Sequence, residues 1–197
     1  AINNTASPIV ATITVTPVSG SCVGTPISFT ITVNPLITAG TLTGNQAICV
    51  GSTSQFSTTG SLGGTWTSSN TAVAQVSGSG LITGITAGTT TIFYTVGGAS
   101  ASRTITVSPL PVVSAGPDLS IVSGTSVQIG ASIINPSAFS FNWQPPTYLS
   151  NSQVLQPVAS PITSTYYIIT AADRQTSCMA KDTMRITVYS GLFVPTA

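Results

Sequence analysis

Charge is the scarcest feature of this 197-residue chain, which holds only four Lys and Arg residues and three acidic residues. It contains no His, all three acidic residues are Asp, and the first charged side chain is Arg103. A net charge of +1 gives no electrostatic footprint for nucleic acid or an anionic membrane surface. Without His, no general base of the usual kind can activate a Ser or Cys nucleophile. We therefore expect no enzymatic activity, no cofactor and no metal ion.

Long hydrophobic runs are also missing, although the mean hydropathy is +0.46. No apolar stretch approaches the roughly 20 residues that a membrane helix needs, so we expect no membrane insertion. The apolar residues instead alternate with Thr and Ser, as in ITVTPV at residues 13–18 and FTITVNP at residues 29–35. A period of two residues is typical of strands with one solvated face. The sequence therefore predicts an all-β protein of tandem immunoglobulin-like β-sandwiches arranged in a rod.

Cysteine is sparse, with only Cys22, Cys49 and Cys178, which lie far apart and form no CxxC motif. A zinc or redox site is therefore not expected, and the odd number leaves at least one thiol without a partner in this chain. We expect neither Cys49 nor Cys178 to have a partner in its own domain. Cys22 could reach Cys49 only if the first hairpin folds back over Pro35. A Cys49–Cys178 bond would contradict the domain boundaries that follow.

Residues 1–35 contain two predicted strands, residues 9–16 and 27–33, around a Gly/Ser turn that holds Cys22. Two strands alone cannot bury a core and are marginally stable in water. No signal peptide is visible at Ala1, so we expect the N-terminus to be a cut point inside a longer polypeptide. This segment is predicted to be the C-terminal hairpin of an incomplete immunoglobulin- or PKD-like module. Strands from the same polypeptide or from a neighbouring subunit in a fibre would complete it.

Residues 36–109 form the second predicted domain, in which short alternating strands are separated by glycine-containing turns. Its pattern is carried by Trp66, Ser68, Ser69, Asn70, Val73, Ala74, Val76, Gly80, Leu81, Gly84, Ala87, Gly88 and residues 89–94. This pattern resembles the bacterial immunoglobulin-like group 2 family. The resemblance implies a small β-sandwich that is one of a series.

Residues 110–189 form the third predicted domain, which follows a stiff Ser-Pro-Leu-Pro linker. Its distinctive positions are residues 115–118, Trp143, Pro145, Leu149, residues 165–167 and Asp182. They resemble the PKD-like sandwich modules of Bacteroidetes surface proteins. In that family a Cys in the opening strand often pairs with one in the last loop. Cys178 fits the second position but Val122 occupies the first, so the resemblance supports no disulfide inside this domain.

Residues 190–197 are predicted to be a linker or strand that leads to a C-terminal sorting domain. Residues 191–197 resemble the start of the gliding-motility-associated C-terminal domain, which is the sorting signal of type IX secretion. An ordinary exit strand is the alternative interpretation. The resemblance implies an extracellular, cell-surface protein that is secreted across the outer membrane. Leu192, Phe193 and Val194 are also the candidate segment for strand exchange with another subunit.

Two groups of side chains are candidate sites near the end of the chain. Asp173, Arg174, Lys181, Asp182 and Arg185 could bind calcium or a partner, or could exchange charges along the last hairpin. Calcium prefers six to eight oxygen ligands, so three nearby cations favour the second interpretation. Asp182-Thr183-Met184 resembles the O-glycosylation motif of Bacteroidetes, which makes Thr183 a candidate acceptor. Glycans would help to keep such an uncharged surface soluble.

Trp66 and Trp143 could be binding aromatics, but each lies on the strand that places an aromatic ring in the core of immunoglobulin-like sandwiches. We predict that both are core residues. The sequence shows no dedicated aromatic platform for carbohydrate.

The leading functional hypothesis is a structural stalk segment of a large secreted cell-surface adhesin or fibre. A filament subunit that polymerises by β-strand exchange is the first alternative. An accessory or carbohydrate-binding module of an extracellular enzyme is the second. The expected partners are neighbouring modules of the same polypeptide or identical subunits, with surface glycans as a further candidate and no nucleic acid.

Overall fold

The architecture is almost wholly β in the computed structural model, which describes residues 2, 3, 5 and 7–190. The helical content of that part of the chain is a single 3₁₀ turn at Pro136–Ala138. The predicted all-β immunoglobulin-like fold class is confirmed. None of the described residues belongs to a helix long and apolar enough to cross a bilayer.

The first group of strands is a single hairpin with a short extension at its tip. Its strands are β1 (Ile9–Val15), β2 (Val18–Ser19), β3 (Cys22–Val23) and β4 (Ile27–Val33). β1 and β4 are antiparallel, with Ile9 opposite Val33 and Val15 opposite Ile27. β2 and β3 pair at the tip, which carries the exposed free thiol of Cys22. The predicted strands are confirmed to within one residue, because β-branched side chains dominate both.

The second group forms a sandwich around one hydrophobic core. Its strands are β5 (Leu42–Thr43), β6 (Ala47–Cys49), β7 (Thr53–Gln55), β8 (Ser57–Thr58), β9 (Thr65–Ser68), β10 (Ala74–Val76), β11 (Leu81–Gly84), β12 (Gly88–Val96) and β13 (Ala99–Ser108). One sheet has the order β6-β13-β12-β9, the other has the order β10-β11-β7, and β5 pairs with β8. Between them lie Ile48, Phe56, Ile82, Ile92, Ile105 and Val107. Gly97 and Gly98 both have positive φ in the tight turn from β12 to β13, a conformation that glycine adopts without steric cost.

The third group forms another sandwich, with the same central arrangement of strands. Its strands are β14 (Val113–Ser114), β15 (Leu119–Val122), β16 (Val127–Gln128), β17 (Ser132–Ile133), β18 (Phe139–Gln144), β19 (Val158–Ala159), β20 (Thr165–Asp173) and β21 (Met179–Tyr189). The main sheet has the order β15-β21-β20-β18, while β14 pairs with β17 and β16 with β19. Trp143, Tyr167, Ile169, Met184 and Ile186 are buried in its core.

Each sandwich has a long antiparallel hairpin at the centre of its main sheet. In the second group β6 runs parallel to β13, and β9 runs antiparallel to β12. In the third group β15 runs parallel to β21, and β18 runs antiparallel to β20. Among the described residues, no strand pairing joins residues on opposite sides of Pro35 or of Pro109. The described strands therefore pair only within their own group, and the second and third groups each close their own sheets.

The two tryptophans differ in burial. Trp143 is fully buried and its indole N–H donates to the Val154 carbonyl at 3.1 Å, so its predicted core position is confirmed. Trp66 is only half-buried, and its ring lies 4.8 Å from the Tyr94 ring. It lies on β9, an edge strand of the sheet, so the core covers its ring only in part. Trp66 therefore packs against the core but is not buried within it, and the prediction that it is a core residue is only partly correct.

Arg103 supplies the charge of the second sandwich, and the sequence did not predict its structural role. Its guanidinium donates to the carbonyl oxygens of Leu42 at 2.9 Å and Gly44 at 3.4 Å, and it lies 5.9 Å from the centre of the Phe56 ring. The Nε atom is buried and makes no hydrogen bond. Arg103 therefore joins β13 to β5 and to the segment that follows it, and an apolar side chain at this position would leave both carbonyls without this donor.

The difference in burial predicts unequal effects of truncating the two tryptophans. Trp143→Ala should lower the free energy of unfolding of the third group of strands by about 3–5 kcal/mol, because it leaves a large cavity. Trp66→Ala should lower that of the second group by only about 2 kcal/mol, since part of its ring already faces solvent. Chemical denaturation followed by amide exchange in each sandwich measures both values. Equal losses in the two variants would contradict the burial described here.

Candidate functional site

A disulfide bond joins the second and third groups of strands. Cys49 lies at the end of β6 and Cys178 lies in the turn between β20 and β21, 129 residues further along the chain. Their Cα atoms are 5.6 Å apart, within the range usual for a disulfide. Cys178 is buried and Cys49 is half-buried. We call this bond and the two turns that hold it the joint.

The turn at Cys49 is anchored to the strand that leads into the third sandwich. The Val50 N–H donates to the Ser108 carbonyl at 3.0 Å, which ties the turn to the last residue of β13. The Ser52 N–H donates to the Cys49 carbonyl at 3.0 Å, and Gly51 supplies the positive φ that this turn requires. Cys49 is therefore positioned beside the beginning of the linker at residues 109–112.

The turn at Cys178 is held by Asp173, the last residue of β20. The Asp173 N–H donates to the Cys178 carbonyl at 2.9 Å, and the Asp173 carbonyl accepts from the Ser177 N–H at 2.9 Å. The carboxylate Oδ1 accepts from the N–H groups of Gln175 and Thr176, both at 2.8 Å. These bonds favour the charged carboxylate and lower the pKa of Asp173 below its ordinary value. Hydrogen bonds therefore order the turn that presents Cys178, in addition to the disulfide.

The joint gives the two sandwiches a second covalent connection besides the linker. A bond between Cys49 and Cys178 was expected to contradict the boundary near Pro109, and that expectation is wrong. Each Cys lies at the end of its own sandwich, so the bond forms between two separately closed sets of sheets. Only the narrower statement, that neither Cys pairs within its own unit, agrees with the structure.

The carboxylates of the third sandwich accept hydrogen bonds from backbone N–H groups rather than pairing with the cations of the last hairpin. Asp182 Oδ2 accepts from the Ala115 N–H at 2.8 Å, and Asp118 Oδ1 accepts from the Arg185 N–H at 2.8 Å. The carboxylates thereby fix the opening segment of the third unit to β21, a role that sequence reasoning missed. The described part of the chain contains no cluster of three His, Cys, Asp or Glu residues placed to hold a metal ion.

Two cations of the same hairpin also contact neighbouring strands. Arg174 donates from Nε to the Phe139 carbonyl at 3.0 Å. The Arg185 guanidinium lies over the Tyr166 ring, 5.4 Å from its centre, which is a cation–π geometry. The first contact ties the turn of the hairpin to β18, and the second joins the two strands of the hairpin, β21 and β20.

The remaining sequence-based candidates do not come together in one place. Thr183 is exposed in β21 opposite Ile168, between the half-buried Asp182 and the buried Met184. Its side chain is therefore accessible, and its glycosylation stays a prediction. The candidate strand-exchange residues Leu192, Phe193 and Val194 lie outside the described residues.

Comparison with known families supports the assignment of the middle of the chain. Residues 30–107 match the family described as bacterial Ig-like domain (group 2). The resemblance drawn from the sequence is confirmed for that segment, and its match begins inside β4. No curated protein sequence matches the chain.

The solved structures that match this chain are distant in sequence and have low TM-scores. The PKD domain of human KIAA0319 has 16% identity and a TM-score of 0.34, covering 43% of this chain and 86% of that one. Domains 4 and 5 of the S-layer protein SbsC have 15% identity and a TM-score of 0.31, covering 69% and 82%. Immunoglobulin domains 1–5 of Sidekick-1 have 13% identity and a TM-score of 0.32, covering 87% and 43%.

The hydrogen bonds that the Asp173 carboxylate accepts predict that the Cys178 turn loses order at low pH. Because folding lowers the pKa of this carboxyl, its stabilising contribution is present above the unfolded pKa and is lost as the pH falls through the folded pKa. The protection of the Gln175 and Thr176 amides against exchange, relative to the unfolded chain, should therefore fall only below the ordinary titration range of Asp. Asp173→Asn is the matched control, since its amide oxygen accepts the same bonds but does not titrate. An acid response that persists in this variant would contradict the assignment.

Proposed function

We propose that this chain is a structural spacer segment of an extracellular, surface-displayed polypeptide, in which successive immunoglobulin-like sandwiches are held by covalent joints. The observation that carries this proposal is the Cys49–Cys178 bond between two separately closed sandwiches. It is supported by the match of residues 30–107 to a bacterial immunoglobulin-like family. The proposal assigns the chain no catalytic role.

The joint matters because a spacer extends only as far as its joints resist bending. The two prolines of the linker at residues 109–112 restrict its backbone, but the linker alone would still leave the two sandwiches free to rotate about its remaining torsions. A second connection through Cys178 limits that rotation, since both turns are fixed to the ends of long strands. Closing a loop of 129 residues also lowers the entropy of the unfolded chain, worth about 5 kcal/mol in the chain-entropy account.

An oxidising environment is the compartment in which such a bond persists. The finer parts of the proposal rest on sequence resemblance: a stalk of a Bacteroidetes adhesin, type IX secretion signalled by residues 191–197, and glycosylation of Thr183. Glycans on hydroxyl side chains would offset a surface that has almost no charge.

A filament subunit that polymerises by strand exchange is the second candidate function. The apolar residues of β1 and β4 are exposed, which favours this candidate, because an open apolar edge can accept a strand from another subunit. Electron microscopy of native material separates the two candidates. Long filaments that dissociate into single chains would favour the second, and single rods would favour the spacer.

The experiment that tests the spacer removes the joint with two substitutions that hardly change side-chain size. In the double variant Cys49→Ser and Cys178→Ser, each sandwich should keep its own amide spectrum. The two alignment tensors from residual dipolar couplings should then diverge, and small-angle scattering should show a broader distribution of dimensions. Cys22→Ser is the matched control, since Cys22 is exposed and free.

The oxidised wild type and the Cys22→Ser variant should each give one common alignment tensor for the two sandwiches. If the double variant also gives one common tensor, the bond does not hold the orientation and the proposal fails. Reduction of the wild type with a thiol reagent should reproduce the behaviour of the double variant, which provides an independent check.

A further inference from the structure

The tripeptide Ile-Thr-Val occurs four times in the sequence, once in β1 at Ile13 and three times at one structural position, the last strand of a long antiparallel hairpin. At that position it begins at Ile31 in β4, at Ile105 in β13 and at Ile186 in β21. Its Ile is opposite Ala11 in the first hairpin, Thr90 in the second and Thr165 in the third. The three hairpins β1–β4, β12–β13 and β20–β21 are therefore equivalent.

These equivalent residues have very different environments. Ile105 and Ile186 are 0% exposed, whereas Ile31 is 47% exposed. In both sandwiches a parallel strand lies along the Ile-Thr-Val strand: β6 pairs at Thr106 to Ser108, and β15 pairs from Ile186. A strand also flanks each hairpin on the other side, β9 beside β12 and β18 beside β20. Within the described residues β4 and β1 have no such neighbours.

The first hairpin nevertheless has the side-chain pattern of a half-core. The cross-strand register places seven of its eight larger apolar residues on one face, namely Ile9, Ile13, Val15, Ile27, Phe29, Ile31 and Val33. The opposite face holds Val10 and five hydroxyl residues, and Thr14 and Ser28 share a hydrogen bond across it at 2.8 Å. One face of the hairpin thus matches the buried faces of β12–β13 and β20–β21, yet it is exposed.

We propose that the apolar face of β1–β4 is an interaction surface for the rest of its own sandwich, supplied by residues that precede it in the same polypeptide. By equivalence with β13, a parallel strand pairs with Thr32 to Asn34. By equivalence with β12, an antiparallel strand pairs with the segment that begins at Ile13. The source follows from order along the chain, since β6 and β9 precede β12, and β15 and β18 precede β20.

A second copy of the hairpin is too small an occupant. Two strands of seven residues present a face of roughly 24 by 10 Å, or about 240 Å². A stable dimer interface needs about 800 Å² from each partner. A segment of the same polypeptide needs no such area, because it is already linked covalently, and by equivalence with the two complete sandwiches it supplies a second sheet as well as the two flanking strands.

The chemistry of the occupant also follows from the hairpin. The first 102 residues carry no charged side chain, so the surface offers no counter-charge to an acidic or basic partner. Its contacting strands should alternate Val, Ile or aromatic residues with Thr or Ser, as the strands of the two complete sandwiches do. This inference is independent of the Cys49–Cys178 joint, which lies in other elements.

The test compares residues 1–197 with a longer form that includes the natural polypeptide N-terminal to Ala1, extended by roughly 80–100 residues or one module. Amide exchange should show strong protection of Thr12, Val15, Phe29 and Val33 in the longer form, at least about 100-fold above that in residues 1–197. Sedimentation should show the longer form to be monomeric.

A pair of substitutions sharpens the test. In the longer form, Phe29→Ser should lower the protection of β1 and β4 by about 100-fold or more, because it removes a core residue. Thr30→Ser, on the hydroxyl face, should change it by less than about threefold, as expected for a surface substitution. In the shorter form, which consists of residues 1–197 alone, neither variant should change the exchange of β1 and β4.

Four outcomes would overturn the inference. They are a natural polypeptide with no strand-forming residues before Ala1, a longer form whose hairpin is unprotected, strong protection in monomeric residues 1–197, or protection that appears only as residues 1–197 self-associate. The last outcome would assign the surface to a second copy.

Discussion

The bond between Cys49 and Cys178 is the contact on which the relation between the two complete sandwiches depends. Each sandwich closes its own sheets, and the linker between them is only a few residues long. Both turns that carry the bond are ordered by backbone hydrogen bonds, one to the end of β13 and one to Asp173. The bond therefore connects two turns that are each tied by hydrogen bonds to the end of a strand. A connection of this kind transmits orientation, which a spacer needs and a flexible tether does not.

The scarcity of charge has consequences throughout the structure. With few ionic groups, the difference between inside and outside rests on the alternation of apolar and hydroxyl side chains along each strand. The three carboxylates and Arg103 are used to hold backbone groups at places where the chain changes direction. The same alternation makes the first hairpin an exposed half-core, because its strands present one apolar face as the covered hairpins do.

The all-β class, the hairpin strands and the core position of Trp143 could be predicted, because they follow from local alternation and from aromatic placement. The disulfide could not, since it depends on the turn after β20 meeting the turn after β6 at a separation of 129 residues. The half-exposure of Trp66 follows from the position of β9 at the edge of its sheet. The alternation of apolar and polar residues predicts which face of a sheet a side chain lies on, but it does not predict the order of the strands. Arg103 did leave a signal: it interrupts the apolar positions Ala101, Ile105 and Val107 on the inner face of β13.

Mapping of the disulfide in unreduced protein tests the central claim most directly. After free thiols are alkylated and the chain is digested without reductant, mass spectrometry should find Cys49 linked to Cys178 and Cys22 alkylated. The link should disappear on reduction. A Cys22–Cys49 link, or quantitative alkylation of both Cys49 and Cys178 in folded protein from an oxidising compartment, would contradict the account of a covalent joint between the two sandwiches.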